Sequence, residues 1–375
     1  MSKRVVGPVL AALVMLAGLA ASCPAADTPE VEPTVVWKRG DNGYYMHRIP
    51  AIVLTKSGTL LAFAEARKNG RGDHGDIDLV VKRSTDMGKT WSDFILVYEE
   101  GGTDKIGIGN HVPVVDRASG DILVVFRRTI AGRGYAGTFL SRSNDDGATW
   151  TAPREITESI LIEGATYMTP GPGHGIQLQH GKHAGRICIP CYAWFGEEPD
   201  AKYDGLRNVV VYSDDGGKTW THGTPSDKPL GEPVAAELGD GTLIMTSRQY
   251  SQQRWRRAIS YSKDGGETWS EAQFREDLPD CNCQGSILSV EKGSDTLLLH
   301  SNCPGPGEKR NRLTVRLSRD GGKTWPSSWV LDPGKAQYND LVELPDGSIG
   351  CLYERGDKYR TAIVFVRFSL ERLTR

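Results

Sequence analysis

The chain has 375 residues, of which 45 are basic and 47 acidic, and its formal net charge is −2. This near balance argues against nucleic acid or an acidic membrane surface as a partner. The length that remains after an apolar N-terminal segment is enough for one large closed β domain or two ordinary domains.

Residues 1–26 have the pattern of an export signal peptide. Lys3 and Arg4 precede an apolar stretch over residues 5–21, and small residues follow it. A transmembrane anchor is the alternative, but the stretch is short and rich in Gly and Ala. Residues 19–23 are similar to a bacterial lipobox, so lipidation of Cys23 is an alternative to cleavage and release. We predict an exported protein, which is periplasmic, secreted or lipid-anchored at the bacterial cell surface, with a linker over residues 27–34.

The motif Ser-x-Asp-x-Gly-x-Thr-Trp, the Asp box, follows strand-like runs at five places. The copies cover residues 84–91, 143–150, 213–220, 262–269 and 318–325. The motif predicts a hairpin turn, because its Ser and Asp can bond to their own backbone, its Gly tolerates a positive φ and its Trp can pack under the turn. The spacing of the copies suits one four-stranded propeller blade each.

A second repeat alternates with the first. Six segments have the pattern strand, turn, strand: residues 51–67, 113–128, 175–194, 234–248, 286–302 and 340–355. With the strand pair that follows each of them, they predict an all-β fold, a six-bladed β-propeller of four-stranded antiparallel blades over residues 35–375. We expect residues 35–37 to complete the last blade, which closes the ring and removes its free edges.

In such a blade the start of the first strand, the end of the second and the start of the third lie on one face, opposite the Asp boxes. Eight chemically distinctive residues fall there, on what we call the site face: Arg48, Arg67, Asp73, Glu232, Arg248, Arg310, Tyr338 and Glu354. Because they come from four different blades, their clustering predicts an anion-binding pocket. Isolated surface arginines are common, and we interpret four others as solvated or structural: Arg127, Arg128, Arg256 and Arg257.

Seven cysteines in an exported chain favour disulfides. Cys283 and Cys303 flank one predicted hairpin, and Cys188 and Cys191 lie along another. No paired His motif accompanies them, so packed thiols or a disulfide are preferred over zinc. We predict neither a metal site nor a cofactor.

The site-face residues lie within longer segments that resemble one enzyme family. These segments are His47-Arg48-Ile49-Pro50, Glu65-Ala66-Arg67, Asp73-His74-Gly75-Asp76-Ile77-Asp78, Gly171-Pro172-Gly173-His174-Gly175-Ile176, Gly231-Glu232-Pro233, Ser247-Arg248, Arg310-Asn311-Arg312-Leu313-Thr314, Gln337-Tyr338-Asn339-Asp340 and Leu352-Tyr353-Glu354-Arg355. In their order and spacing, over residues 35–375, the chain resembles bacterial exo-α-sialidases (neuraminidases) of glycoside hydrolase family 33. The resemblance implies hydrolysis of terminal α-linked sialic acid from glycans, by a protein that we expect to be a monomer.

The resemblance also implies a role for each residue of the site face. Arg48, Arg248 and Arg310 would bind the substrate carboxylate, for which the fork of the guanidinium is suited. Glu354 would hold Arg48, and Arg67 would reach the 4-hydroxyl side of the sugar.

Tyr338 would be the nucleophile, Glu232 its general base, and Asp73 the general acid that later activates water. A neutral phenol avoids repulsion by the substrate carboxylate, but only roughly one part in a thousand is ionised at pH 7, so it needs a base. The acid must keep its proton near working pH, which burial and nearby negative charge favour.

Two assignments have alternatives within their own segments. Arg312 competes with Arg310, which we prefer because the pattern Arg-x-x-Leu-Thr places the binding residue first. Asp76 and Asp78 compete with Asp73, but they fall in an alternating strand pattern and are interpreted as structural or pocket-lining. The long aromatic segment over residues 191–204 is either a lid or rim over the pocket or a packed insertion.

Two other function classes remain open. One is a non-catalytic sialic-acid-binding propeller, which would be expected to have lost the tyrosine, its glutamate or the acid. The other is an enzyme of the same fold with a different product or substrate: a transglycosylating or intramolecular sialidase, or a hydrolase of deaminated sialic acid.

Overall fold

The computed structural model describes residue 1 and residues 31–101, 105–196, 203–250, 255–305, 309–356 and 362–373. Residues 2–26 of the predicted signal peptide, which include Cys23, and residues 27–30 of the linker lie outside these ranges. Within them, no helix has the length and apolar character that crossing a membrane requires.

The described residues form an all-β protein, as predicted. Its strands are β1 (Thr34–Trp37), β2 (Met46–Leu54), β3 (Leu60–Arg67), β4 (Ile77–Ser84), β5 (Ile95–Tyr98), β6 (Ile106–Val115), β7 (Ile122–Ile130), β8 (Gly134–Ser143), β9 (Arg154–Glu155), β10 (Tyr167–Pro170), β11 (Ile176–Gln177), β12 (Ile187–Trp194), β13 (Leu206–Ser213), β14 (Thr221–His222), β15 (Gly231–Glu237), β16 (Leu243–Arg248), β17 (Arg256–Ser262), β18 (Gln273–Pro279), β19 (Ser286–Lys292), β20 (Asp295–Asn302), β21 (Asn311–Ser318), β22 (Ser327–Glu343), β23 (Ile349–Arg355) and β24 (Ala362–Phe368). The helical segments are the short helix α1 (Thr157–Ile160) and three 3₁₀ turns, Asp41–Gly43, Gly181–His183 and Leu370–Leu373.

Neighbouring strands form curled sheets, with orders β2-β3-β4-β6-β7-β8-β9, β10-β12-β13-β14, β15-β16-β17-β18 and β1-β24-β23-β22-β21-β20-β19. They pair antiparallel except for β4 and β6, which share one parallel residue pair, Ile77 with Gly107. Strand β5 joins β4, and β11 joins β12. The long strand β22 pairs with β21 along its first part and with β23 along its last part. The predicted pairing of the N-terminal strand is confirmed, because β1 lies along β24.

The predicted hairpins are present, with one difference. The first strand of the third hairpin is the two-residue strand β11, and a separate strand, β10, pairs with the far part of β12. The run Gly171-Pro172-Gly173 separates β10 from β11, since Pro172 has no N–H to donate and Gly173 has a φ of 125°. The chain therefore leaves the sheet between β10 and β11, just before the predicted hairpin begins at residue 175.

Each Asp box forms the predicted turn. In the first copy Ser84 Oγ accepts from the Gly88 N–H at 2.9 Å, and Asp86 Oδ1 accepts from the Thr90 N–H at 2.9 Å. The other four copies repeat these bonds. Gly88 has a φ of 83°, as the turn requires.

The Asp boxes and the site face lie at opposite ends of the same strands. In the β3–β4 pair, Arg67 of the site face lies opposite Ile77, whereas Leu60 at the other end lies opposite Ser84 of the first Asp box. Residues from β2, β6, β11, β15, β19 and β22 line one cavity of about 720 Å³ away from the site face: Val53, Val114, Ile176, Ala236, Ile287 and Val342. These six strands are the first strands of the six predicted hairpins.

The cysteines within the described ranges are buried free thiols: Cys188, Cys191, Cys281, Cys283, Cys303 and Cys351. Of the two predicted alternatives the structure therefore has packed thiols, and Cys283 is not bonded to Cys303. Burial raises the pKa of Cys188 and Cys191 above the ordinary range, so these thiols remain neutral.

Candidate functional site

Tyr338 is the buried phenol of the site face, with 7% of its surface exposed. Its hydroxyl donates to Glu232 Oε1 at 2.7 Å. Arg248 Nη1 donates to the same hydroxyl at 3.1 Å and to Glu232 Oε2 at 2.6 Å. The predicted nucleophile, its predicted base and one predicted carboxylate-binding arginine are thus in direct contact.

Two irregularities of the backbone lie next to these side chains. Glu232 has a left-handed φ of 40°, and the register of β15 against β16 shifts around it. Ile49 has a φ of 56°, and the register of β2 against β3 shifts between Arg48 and Ala51. Such conformations cost about 1–3 kcal/mol each outside glycine and concentrate at functional sites. The strained backbone therefore lies at Glu232 and next to Arg48, two residues to which the sequence assigned chemistry.

Arg48 is held by Glu354 in a two-pronged ion pair. Arg48 Nε and Nη2 donate to Oε1 and Oε2 of Glu354 at 3.1 and 3.0 Å. The N–H of Ile49 also donates to Glu354 Oε1, at 2.8 Å, and the carboxylate is fully buried. This is the contact that the resemblance implied for Glu354, and it fixes the direction of the Arg48 guanidinium.

Arg310, and not Arg312, lies beside Tyr338. The guanidinium carbons of Arg48 and Arg310 lie 5.4 and 5.7 Å from the centre of the Tyr338 ring. Arg310 Nη1 donates to Gln337 Oε1 at 3.1 Å. Arg312 is exposed and has a left-handed φ of 57°. The structure therefore places the three arginines predicted to bind a carboxylate around Tyr338: Arg48, Arg248 and Arg310.

Asp73 lies at the edge of this cluster. Arg67 Nη2 contacts Asp73 Oδ1 at 2.8 Å, and Arg48 Nη1 lies 3.9 Å from the same oxygen. Arg67 itself is buried against Glu65, whose Oε2 accepts from Arg67 Nε at 3.1 Å. The Asp73 side chain is 66% exposed, so no packing locks it in place.

The charge state of Asp73 differs from the expectation for a general acid. Desolvation raises the pKa of Asp73, but the positive charges of Arg67 and Arg48 outweigh it and hold that pKa below the ordinary range. The sequence prediction considered burial and negative neighbours, whereas the neighbours that the fold supplies are positive. In this unliganded arrangement Asp73 is ionised at neutral pH.

Asp76 and Asp78 belong to a separate ion-pair cluster. Lys68 Nζ lies 3.1 Å from Oδ1 of each carboxylate, and the Tyr44 hydroxyl donates to Asp78 Oδ2 at 2.6 Å. These contacts agree with the structural interpretation of both residues and leave Asp73 as the aspartate that contacts Arg67 and Arg48.

Arg127 is a site-face residue that the sequence interpretation missed. Its positive charge contributes to the lowered pKa of Asp73, and it opposes the rise in pKa that burial causes at Tyr192. Its Nε is buried without a hydrogen-bond partner in the described part of the chain. Arg127 lies near the end of β7, the second strand of its hairpin, so the rule that placed Arg67 on the site face could have found it.

The other three arginines agree with the structural interpretation. Arg128 pairs with Glu100, with Nε to Oε1 at 2.6 Å, and Arg256 pairs with Glu276. Arg257 is fully buried and donates from Nη1 to the Cys283 carbonyl at 2.9 Å.

The described ends of the segment over residues 191–204 place aromatic rings near the site. Tyr203 stacks on Tyr250 with ring centres 4.4 Å apart, and the Arg248 guanidinium carbon lies 4.3 Å from the centre of the Tyr250 ring. Trp194 stacks on Tyr167 at 6.5 Å. Residues 197–202 lie outside the described ranges.

Tyr338 is neutral in this environment. Burial and the Glu232 carboxylate raise the pKa of Tyr338 well above its ordinary value, although Arg248 and Arg310 oppose the rise. A neutral phenol that donates to a carboxylate at 2.7 Å can lose its proton to that carboxylate as it attacks an electrophile. Three arginines beside it can bind an anionic substrate, and Asp73 can exchange a proton at the solvent side.

The chain is similar to known sialidases along most of its length. The BNR repeat-like domain matches residues 50–351. A sialidase of Micromonospora viridifaciens is 32% identical over 88% of this chain and 52% of its own length, and one of Bacteroides fragilis is 31% identical over 86% and 62%. The chain thus spans about half to two-thirds of the length of these relatives.

The fold is similar as well. The solved structure of the Hadza microbial sialidase Hz136 superimposes with a TM-score of 0.79 and 28% identity, over 91% of this chain and 69% of that one. The family match and this superposition agree with the Asp-box turns that the sequence contains. The chain belongs to the BNR repeat-like domain family, the Asp-box family of sialidases.

Proposed function

We propose that this protein is an exo-α-sialidase that removes terminal α-linked sialic acid from glycans, with retention of configuration. The observation that carries the proposal is the hydrogen bond from Tyr338 to Glu232 at 2.7 Å, beside three guanidinium groups. A non-catalytic binding protein needs the arginines but has no use for a phenol held against a carboxylate base.

The mechanism begins with binding of the substrate carboxylate by Arg48, Arg248 and Arg310. The carboxylate is attached to the anomeric carbon, so this contact brings that carbon towards Tyr338 Oη. The phenol attacks as Glu232 takes its proton, and no second anion approaches the substrate carboxylate. Asp73 protonates the leaving oxygen. Asp73 then activates water, which hydrolyses the glycosyl-tyrosine and releases the sugar with its original configuration.

We also propose that the strands form a six-bladed propeller with the site face at one end of its axis. The pairing of β22 with two partners and the single β4–β6 residue pair divide the sheets into six antiparallel groups. The cavity lined by six first strands supports a ring around a central axis. Residues 35–375 would then form one catalytic domain.

The direct test is release of 4-methylumbelliferone from its α-N-acetylneuraminic acid glycoside, with the sugar product followed by proton NMR. We expect turnover and the α anomer as the first product. Release of the β anomer first would contradict retention. Binding of free sialic acid without turnover would favour the non-catalytic propeller, and an anhydro sugar product would favour an intramolecular sialidase.

The charge state of Asp73 predicts different pH profiles for kcat/KM and kcat. In the free enzyme the pKa of Asp73 is lowered, so Asp73 already gives up its proton in the acidic range. The value of kcat/KM therefore falls as the pH rises through the pKa of Asp73. A bound substrate carboxylate neutralises Arg48 and adds negative charge, which raises the pKa of Asp73. We expect the alkaline limb of kcat to lie about 1 pH unit or more above that of kcat/KM.

Initial rates over the pH range would measure both limbs on one substrate. Asp73→Asn should lose the alkaline limb together with most of kcat. Coincident limbs in the wild type would mean that substrate binding leaves the proton affinity of Asp73 unchanged, contrary to this prediction.

A further inference from the structure

The loop between β18 and β19 passes close to two arginines of the site face. Its residue Asn282 has a left-handed φ of 60°. Asn282 Oδ1 accepts from Arg248 Nε at 2.8 Å, and the main-chain carbonyl of Asn282 accepts from Arg310 Nη2 at 3.3 Å. One residue thus contacts both guanidinium groups, which come from the end of β16 and from the residue before β21.

The loop on either side of Asn282 is held firmly. Cys281 and Cys283 are both fully buried, whereas Asn282 is partly exposed between them. The Cys281 N–H donates to the Cys303 carbonyl at 3.1 Å, and Arg257 Nη1 donates to the Cys283 carbonyl at 2.9 Å. Because its neighbours are anchored, Asn282 presents its side-chain oxygen and its carbonyl in fixed positions.

The left-handed backbone explains why asparagine suits this position. Asn adopts positive φ more readily than other non-glycine residues, and unlike glycine it also carries an acceptor oxygen. The conformation lets the side chain accept from one arginine while the carbonyl accepts from the other.

The charge of the acceptor matters as much as its position. Arg48 is held by a carboxylate and Arg248 contacts the carboxylate of Glu232, so part of their positive charge is already balanced. The hydrogen bonds of Arg310 to described residues go to neutral acceptors, Gln337 Oε1 and the Asn282 carbonyl. Neutral acceptors orient a guanidinium without cancelling the charge that attracts an anion.

We propose that Asn282 is a positioning residue that orients Arg248 and Arg310 for the substrate carboxylate without adding a negative charge beside either of them. The proposal rests on the proposed function, because it assigns the anion that these arginines bind. It predicts that substitutions of Asn282 weaken the binding of the substrate carboxylate and leave the stability of the fold largely unchanged.

Two variants separate orientation from charge. Asn282→Gly keeps the left-handed backbone and the carbonyl but removes the acceptor of Arg248, and we expect KM and the Ki of free sialic acid to rise about tenfold, with a smaller change in kcat. Asn282→Asp keeps both the shape and the acceptor. It adds a negative charge beside two arginines, and we expect at least about a tenfold rise in Ki with an unchanged or higher Tm.

The matched control is Asn42→Gly, which makes the same change at an exposed asparagine with a φ of 57° and should leave Ki and KM unchanged.

The wild type is measured first with the methylumbelliferyl glycoside. A wild type that neither turns over nor binds sialic acid would overturn the proposed function, and this inference with it. An active wild type whose Asn282→Gly and Asn282→Asp variants keep Ki within twofold would overturn the inference alone. A fall in kcat with unchanged Ki would also overturn it, because it would place the effect on Glu232 or Tyr338 instead of on carboxylate binding.

Discussion

Replacing Tyr338 by Phe is expected to lower kcat by more than roughly 10³-fold, because it removes the oxygen that would attack the anomeric carbon. The aromatic ring, which Arg48 and Arg310 both approach, stays in place. Glu232 keeps its contact with Arg248, so the Arg248 guanidinium is still held in position. The measurement is kcat on the methylumbelliferyl glycoside together with the Ki of free sialic acid, which should change only a few-fold.

The control for this variant is Tyr261→Phe. Tyr261 also donates its hydroxyl to the protein, to the Gly321 carbonyl at 3.1 Å, but it lies at the Asp-box end of β17. This control should keep wild-type kcat. If Tyr338→Phe were folded and retained a kcat within tenfold of the wild type, Tyr338 would not be the nucleophile.

Replacing Arg310 by Asn is expected to raise KM and the Ki of free sialic acid by about 30- to 100-fold. The Arg310 guanidinium beside Tyr338 would donate charge-assisted hydrogen bonds to the substrate carboxylate, each of which contributes about 1.5–3 kcal/mol. The shorter asparagine side chain cannot reach the carboxylate. Competition by free sialic acid measures this loss without depending on the chemical step.

Arg312→Asn is the internal comparison, because the same substitution is made two residues away. Arg312 is exposed, and asparagine tolerates its left-handed φ of 57°, so Ki should stay within about twofold. The opposite ranking of the two variants would transfer carboxylate binding to Arg312 and contradict the placement of Arg310 beside Tyr338.

Several site residues were predictable because their positions follow from strand order. A residue such as Arg67, at the end of the second strand of a hairpin, lies on the site face once the hairpin is recognised. Arg127 follows the same rule near the end of β7, but a surface arginine is too common to indicate a site by itself. Asn282 had no comparable signal, since its role depends on a left-handed backbone and on two arginines that are distant in sequence.

The sequence by itself determined the turns, the hairpins and the end of the strands that carries each polar side chain. These features depend on interactions over a few residues, such as the Ser–Asp–Gly bonds of each Asp box and the alternation along each strand. The tertiary structure alone decided which groups meet. Tyr338 and Glu232 are 106 residues apart in the chain, and Arg48 and Glu354 are 306 apart. It also decided the charge state of Asp73, because a pKa depends on the charges that folding places within a few ångströms, and at Asp73 those charges belong to Arg67 and Arg48.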